Sequence, residues 1–160
     1  MSNSNQARVI QPPNALKAKL GGGRFSLDAD AVARAEAALK SLSGQFAQWL
    51  QDELNKLDAA RAEVRAHGMT TATAEVLYMR AHDLKGLGAT YEFPLVTRLA
   101  ASLCKLIDEP QTRTSAPLVL VDAHIDAIKA AVRDNIKTDE HPLGKALAEE
   151  LEGRVAAYLK

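Results

Sequence analysis

Apolar residues in the first half of the chain recur at alternating intervals of three and four. Val32, Ala35, Leu39, Leu42, Phe46 and Trp49 form one such series, which predicts a helix with a single buried stripe. Ser26 or Asp28 can cap its start, because a short oxygen-bearing side chain accepts from the otherwise unpaired N–H groups of a first turn. The stripe continues, slightly rotated, through Leu50, Leu54, Leu57 and Val64 until His67-Gly68 supplies a stop. Gly44 lies off the stripe and allows a kink or a break into two helices.

Thr70, Thr71 and Thr73 offer caps for a second helical run from Ala74 to about Tyr91. The chain then turns near Glu92, and Pro94 sits where a third helix can begin. Leu95, Leu99, Leu103 and Leu106 carry that third run to Asp108-Glu109-Pro110, and a polar loop follows to Ala116. A fourth run, Val119 to Ile136, is marked by Val121, Ile125, Ile128 and Val132. Leu143, Leu147, Leu151, Val155 and Leu159, four apart, predict a final amphipathic helix that covers one side of the bundle.

Composition agrees with helices. Ala and Leu dominate the 47% hydrophobic content, aromatics are 4%, and β-branched residues are sparse. The expected fold is all-α. At 160 residues the chain can bury one core. Residues 1–25 combine Asn, Gln, Pro12-Pro13 and Gly21-Gly22-Gly23 with few large apolar groups, so they are expected to be a flexible tail. Residues 26–160 are expected to form a single helical domain.

Charge narrows the partners. Arg8, Lys17, Lys19 and Arg24 make the tail basic, while the remainder holds 16 basic against 20 acidic residues, a charge of −4. A neutral whole molecule gives no field that would favour nucleic acid. No apolar run is long enough to span a bilayer, and the N-terminus lacks the apolar core of a signal peptide. With one cysteine, Cys104, no intrachain disulfide can form. A reducing cytoplasm is the expected home.

The stretch Ala81-His82-Asp83-Leu84-Lys85-Gly86-Leu87-Gly88-Ala89-Thr90-Tyr91 breaks a local rule, because two glycines in a helix interior each cost roughly 1 kcal/mol relative to alanine. Stepping about 100° per residue from His82 puts Leu77, Ala81, Leu84, Leu87, Gly88 and Tyr91 between about 140° and 260°. That is the core face, so His82 points away from it. Lys85, Gly86 and Ala89 fall within about 60° of His82, with Tyr78 and Met79 one turn earlier. Gly86 and Ala89 leave bare backbone that another protein can approach, while Tyr78 and Met79 supply an apolar docking rim.

A neutral imidazole, with an unperturbed pKa near 6.5, is a nitrogen nucleophile at neutral pH. Lys85 can offset charge on a phosphoryl group carried by that ring. Phosphoryl transfer asks mainly for positioning and charge stabilisation, so an exposed histidine with one cation suffices on this side of the reaction.

Ala81-His82-x-Leu84-Lys85-Gly86 resembles the signature of histidine phosphotransfer (HPt) domains of bacterial two-component phosphorelays. The resemblance covers about residues 28–136 and is strongest from 76 to 108. It implies an antiparallel four-helix bundle, here with an additional N-terminal helical segment and the C-terminal amphipathic helix. Carried over residue by residue, it implies that His82 is the phosphoacceptor, Lys85 the supporting cation and Gly86 the small residue that opens access to the ring.

The partners it implies are receiver domains, of a hybrid sensor histidine kinase and of response regulators, and any Mg²⁺ belongs to their aspartate sites. One position departs from the pattern. Many family members carry glycine ten residues after the histidine, where this chain has Glu92 within Tyr91-Glu92-Phe93-Pro94.

The chain has no GxxxxGKS or GxGxxG nucleotide loop, so a relay without ATP-dependent kinase activity is expected. His67, His124 and His141 show no metal-ligand spacing with His82, so no metal site or cofactor is expected. His67 is expected at a helix end and His141 at a turn or helix start. Cys104, beside the Leu99-Leu103-Leu106 stripe, reads as a buried small hydrophobe, and Phe46 and Trp49 as packing residues. Asp52, Glu53, Lys56, Asp58, Arg61, Glu63 and Arg65 read as decoration of a solvated helix face. The chain is expected to be a monomer. The competing possibility is a helical adaptor or dimerisation module in which His82 is only a surface residue.

Overall fold

The computed structural model describes residues 28–160, so the basic tail expected over residues 1–25 lies outside the described residues. Within them the protein is all-helical, with five α-helices and no strand. They are α1 (Ala29–His67), α2 (Thr71–Leu87), α3 (Pro94–Leu106), α4 (Leu118–Arg133) and α5 (Pro142–Tyr158), with a 3-10 turn at Arg113–Ser115 before α4.

Contacts divide the chain into two units, Met1–Leu39 and Lys40–Lys160. The described part of the first is the beginning of α1. Asp28 opens it, its carboxylate accepting from Asp30 N and its carbonyl from Val32 N. The helix runs unbroken through Gly44, so the break into two helices allowed there does not occur.

In the second unit α3 is the central element, packing against α2, α4 and α5, while α4 also packs on α5. Leu50, Leu57, Leu77, Leu84, Leu95, Leu99, Leu103, Ile107, Ile125 and Ile128 are fully buried. At about 1.5–3 kcal/mol per large apolar side chain, this burial is the main favourable term in folding. The end of α1 joins the core through Leu50, Leu54, Leu57, Ala60 and Val64.

The stripe predicted upstream is different. Leu39 is 66% exposed, Leu42 41% and Trp49 43%. Phe46 is half-buried. No described helix covers that face, so its periodicity gives the helix without giving it a place in the core.

A second correction concerns Arg61, which is buried rather than part of a solvated face. Its guanidinium lies 2.7 Å from Asp126, 2.6 Å from Asp58 and 3.7 Å from Asp122. Lys129 also binds Asp58. Arg61 and Lys129 hold the Asp58 carboxyl below its ordinary range, against the opposing effect of burial. A buried guanidinium is tolerated only when its donors are matched in this way.

The helix ends explain how α2 is held. Thr70 and Thr73 form a reciprocal capping box, each side-chain oxygen accepting from the other's backbone N–H. This starts α2 at Thr71, earlier than Ala74. The helix also ends earlier, at Leu87 instead of Tyr91, because the chain turns back on itself: Phe93 N donates to Gly88 O and Glu92 adopts φ +67°.

That left-handed backbone costs an L-residue roughly 1 kcal/mol that glycine avoids. Glu92 recovers little through its exposed ion pair with Lys137 at 3.5 Å. Glu92→Gly should therefore raise stability by about 0.5–1 kcal/mol, measured by urea unfolding. A loss would mean that the side chain matters more than its backbone geometry.

The core holds one polar pair. His124 is fully buried; its Nδ1 lies 2.7 Å from Leu120 O and its Nε2 2.9 Å from Ser102 Oγ. A carbonyl oxygen can only accept, so Nδ1 carries the proton and Nε2 accepts from the serine hydroxyl. Burial holds the pKa of His124 below its ordinary value, partly offset by the Leu120 carbonyl.

Just below pH 6.5 the unfolded chain therefore binds more protons than the folded one. Stability from this pair is complete above that pH and is lost as pH falls below it. Unfolding midpoints should drop between pH 7.5 and pH 5.5, well above the range in which the depressed carboxyls titrate; a flat profile across that window would contradict this.

Candidate functional site

The middle and end of α2 carry the site. Leu77, Ala81 and Leu84 are fully buried, and they set the phase of the helix so that His82, Lys85, Gly86 and Ala89 are exposed. Leu87 and Tyr91 are half-buried and Gly88 is buried, as the helical wheel places them.

Tyr78 stands one turn before His82, its ring centroid 6.1 Å from the imidazole's. It is fixed from the far side. Its hydroxyl donates to Asp108 at 3.0 Å, and the Arg113 guanidinium lies 4.3 Å above its ring. Arg113 in turn donates to the carbonyls of Ile107 and Asp108. The bond to Asp108 pushes the Tyr78 phenol above its ordinary pKa, so it stays a neutral donor. Tyr78 is thus a tethered wall beside His82 more than a free apolar rim, and Asp108 and Arg113 join the site's surroundings without having been singled out in the sequence. Their contribution depends on the loop after α3 folding back on α2.

Met79 is 51% exposed on α2, as a docking residue must be. Arg80 and Asp83, 3.5 Å apart, pair along one flank of the helix and leave the imidazole face to Tyr78 and Lys85. The charge of Lys85 reaches Cys104 and favours its thiolate, but burial dominates and pushes that thiol up to about 11. Cys104 is therefore a protonated, buried thiol at neutral pH, with no claim to nucleophilic chemistry.

The two glycines separate into different roles. A Cβ on Gly86 would meet nothing within 4 Å, so packing does not require glycine at that exposed helical position. A Cβ on Gly88 would lie 2.7 Å from both the backbone nitrogen and the hydroxyl of Thr97. Gly88 is thus explained by the close approach of α3, where Thr97 Oγ1 also accepts from Ala89 N at 2.8 Å.

The remaining histidines lie apart in role. His67 is the last residue of α1, 3.5 Å from Glu63, and His141 caps α5 by accepting from Leu143 N. No group of three His, Cys, Asp or Glu side chains is arranged to hold a metal among the described residues. Nor is any described helix long and apolar enough to cross a membrane.

In comparisons with known proteins, no family model, no curated protein and no solved structure matches the chain.

Proposed function

We propose that this protein is a phosphorelay intermediate, which accepts a phosphoryl group on His82 from a receiver-domain aspartate and passes it to the aspartate of another receiver domain. The observation that supports this most is the exposed His82 with Lys85 one turn on and open space over Gly86. An imidazole nitrogen attacks phosphorus in the acyl phosphate; the N–P bond forms as the P–O bond to the aspartate breaks, and the carboxylate leaves. The next aspartate reverses the step.

Lys85 supplies positive charge to the phosphoryl oxygens, and open backbone at Gly86 lets the acidic site of the partner approach the ring. Mg²⁺ enters with the receiver domain. The helical order, with α2 and α3 joined by a tight turn and α3 packed on α2, α4 and α5, and the end of α1 buried through Leu50, Leu54, Leu57 and Val64 and bound to α4 through Arg61 and Asp58, suits an antiparallel four-helix bundle of the end of α1 with α2, α3 and α4. Such a relay works in the cytoplasm.

Incubation with a phosphorylated receiver domain should place label on this chain with the stability of a phosphoramidate, lost in acid and kept in base. Label that survives acid, as on a serine or threonine ester, would contradict the proposal.

A further inference from the structure

Leu42 and Trp49 are exposed and Phe46 is half-buried, so α1 keeps a partly open apolar face that ends one residue before the helix enters the core at Leu50. Tyr91 closes one end of the patch. Its ring lies 5.7 Å from Phe46 and 5.8 Å from Trp49, and those two rings are themselves 5.8 Å apart. In the sequence the same series continues upstream through Leu39, Ala35 and Val32.

The spacing identifies the kind of occupant. Val32, Leu39 and Phe46 stand seven apart, as do Ala35, Leu42 and Trp49, so the series is a heptad with both seam positions filled. A strict seven-residue repeat keeps its apolar face toward one partner helix, whereas a helix laid against a globular surface follows a 3.6-residue period. The flanks identify which helix. Charges beside the seam ordinarily select a different partner, but the flanking positions here are Ala31, Glu36, Ala38, Ser43 and Gln45.

One charge in five cannot specify a complementary chain. In a parallel pair Glu36 meets Ala31 of the other copy, so two identical helices associate without opposed like charges. The helix is also already formed, which lowers the ordering cost of association.

We infer that the face of α1 carrying Leu42, Phe46 and Trp49 is a self-association seam whose partner is a second copy of this chain. This goes beyond the proposed phosphotransfer and replaces the monomer expected from the sequence. Trp49 is the only tryptophan, so a concentration-dependent change in its emission reports on this patch.

Sedimentation equilibrium of the full chain should show a mass that rises with concentration toward that of a dimer, with Trp49 emission shifting to the blue over the same range. A Leu39→Glu, Leu42→Glu double variant changes two exposed residues, and it should weaken dimerisation at least tenfold with helical circular dichroism unchanged. Val119→Glu, at a position 81% exposed on α4, should leave dimerisation unaltered. A monomeric mass at every concentration would overturn the inference. So would a dimer that the double variant does not weaken, or one that forms with Trp49 emission unmoved.

Discussion

Gly88→Val should destabilise the fold by about 3 kcal/mol, and Gly88→Ala by about 2, the range for forcing atoms into a packed interior. A Cβ at Gly88 meets the Thr97 nitrogen and hydroxyl at 2.7 Å and the Phe93 carbonyl at 3.1 Å. These neighbours cannot easily yield. Gly88 N donates to Leu84 O, Phe93 N donates to Gly88 O, and Thr97 Oγ1 holds Ala89 N, so relief requires breaking hydrogen bonds that close the α2–α3 turn.

Two residues earlier the sign reverses. Gly86→Ala should stabilise by up to about 1 kcal/mol, because open space surrounds the site and alanine is the better helix former. Gly86→Gln should also fold, yet it should accept phosphoryl at least tenfold more slowly, because its side chain occupies the approach to the imidazole. Paired unfolding and transfer measurements check both; a Gly86→Gln variant with unchanged transfer would remove the access role of Gly86.

The contrast between these glycines shows what the sequence could and could not convey. Both broke the same helical rule, and their offsets from His82 placed one outward and the other inward. That the inward one is required by Thr97 depends on how closely α3 approaches, a tertiary distance with no local signature. His82 was legible because Leu77, Ala81 and Leu84 fix the phase of α2 without ambiguity.

Periodicity also located α3, α4 and α5 to within a few residues, but it reports only that a face can be buried. For Leu50, Leu54 and Leu57 that face meets the core; Leu39 and Leu42 stay exposed. Arg61 was missed for a related reason. Its charge looks like its exposed neighbours', and its burial depends on Asp122 and Asp126 in α4, about sixty residues away.

Glu92 combines both lessons. The sequence marks the position as unusual, because the resemblance leads one to expect glycine there. The backbone there has φ +67°, which glycine adopts without the cost that an L side chain bears. The chain keeps the turn and bears the strain of a side chain in it.

Removal of His82 should have the largest effect of all. His82→Gln keeps a polar side chain at an exposed helical position, so it should fold like the parent within about 0.5 kcal/mol. It lacks a nucleophilic nitrogen. The Tyr78 wall, the Lys85 charge and the open backbone at Gly86 remain in place, so the variant should still dock the proposed partner while acceptance is lost.

Lys85→Ala should be intermediate, slowing transfer roughly ten- to a hundredfold through lost charge stabilisation on the phosphoryl oxygens. The decisive measurement is label transferred from a phosphorylated receiver domain to the parent chain and to His82→Gln side by side. Acid-labile label on the parent and none above background on the variant is the predicted result; equal labelling of the two would contradict the assignment of His82 as phosphoacceptor.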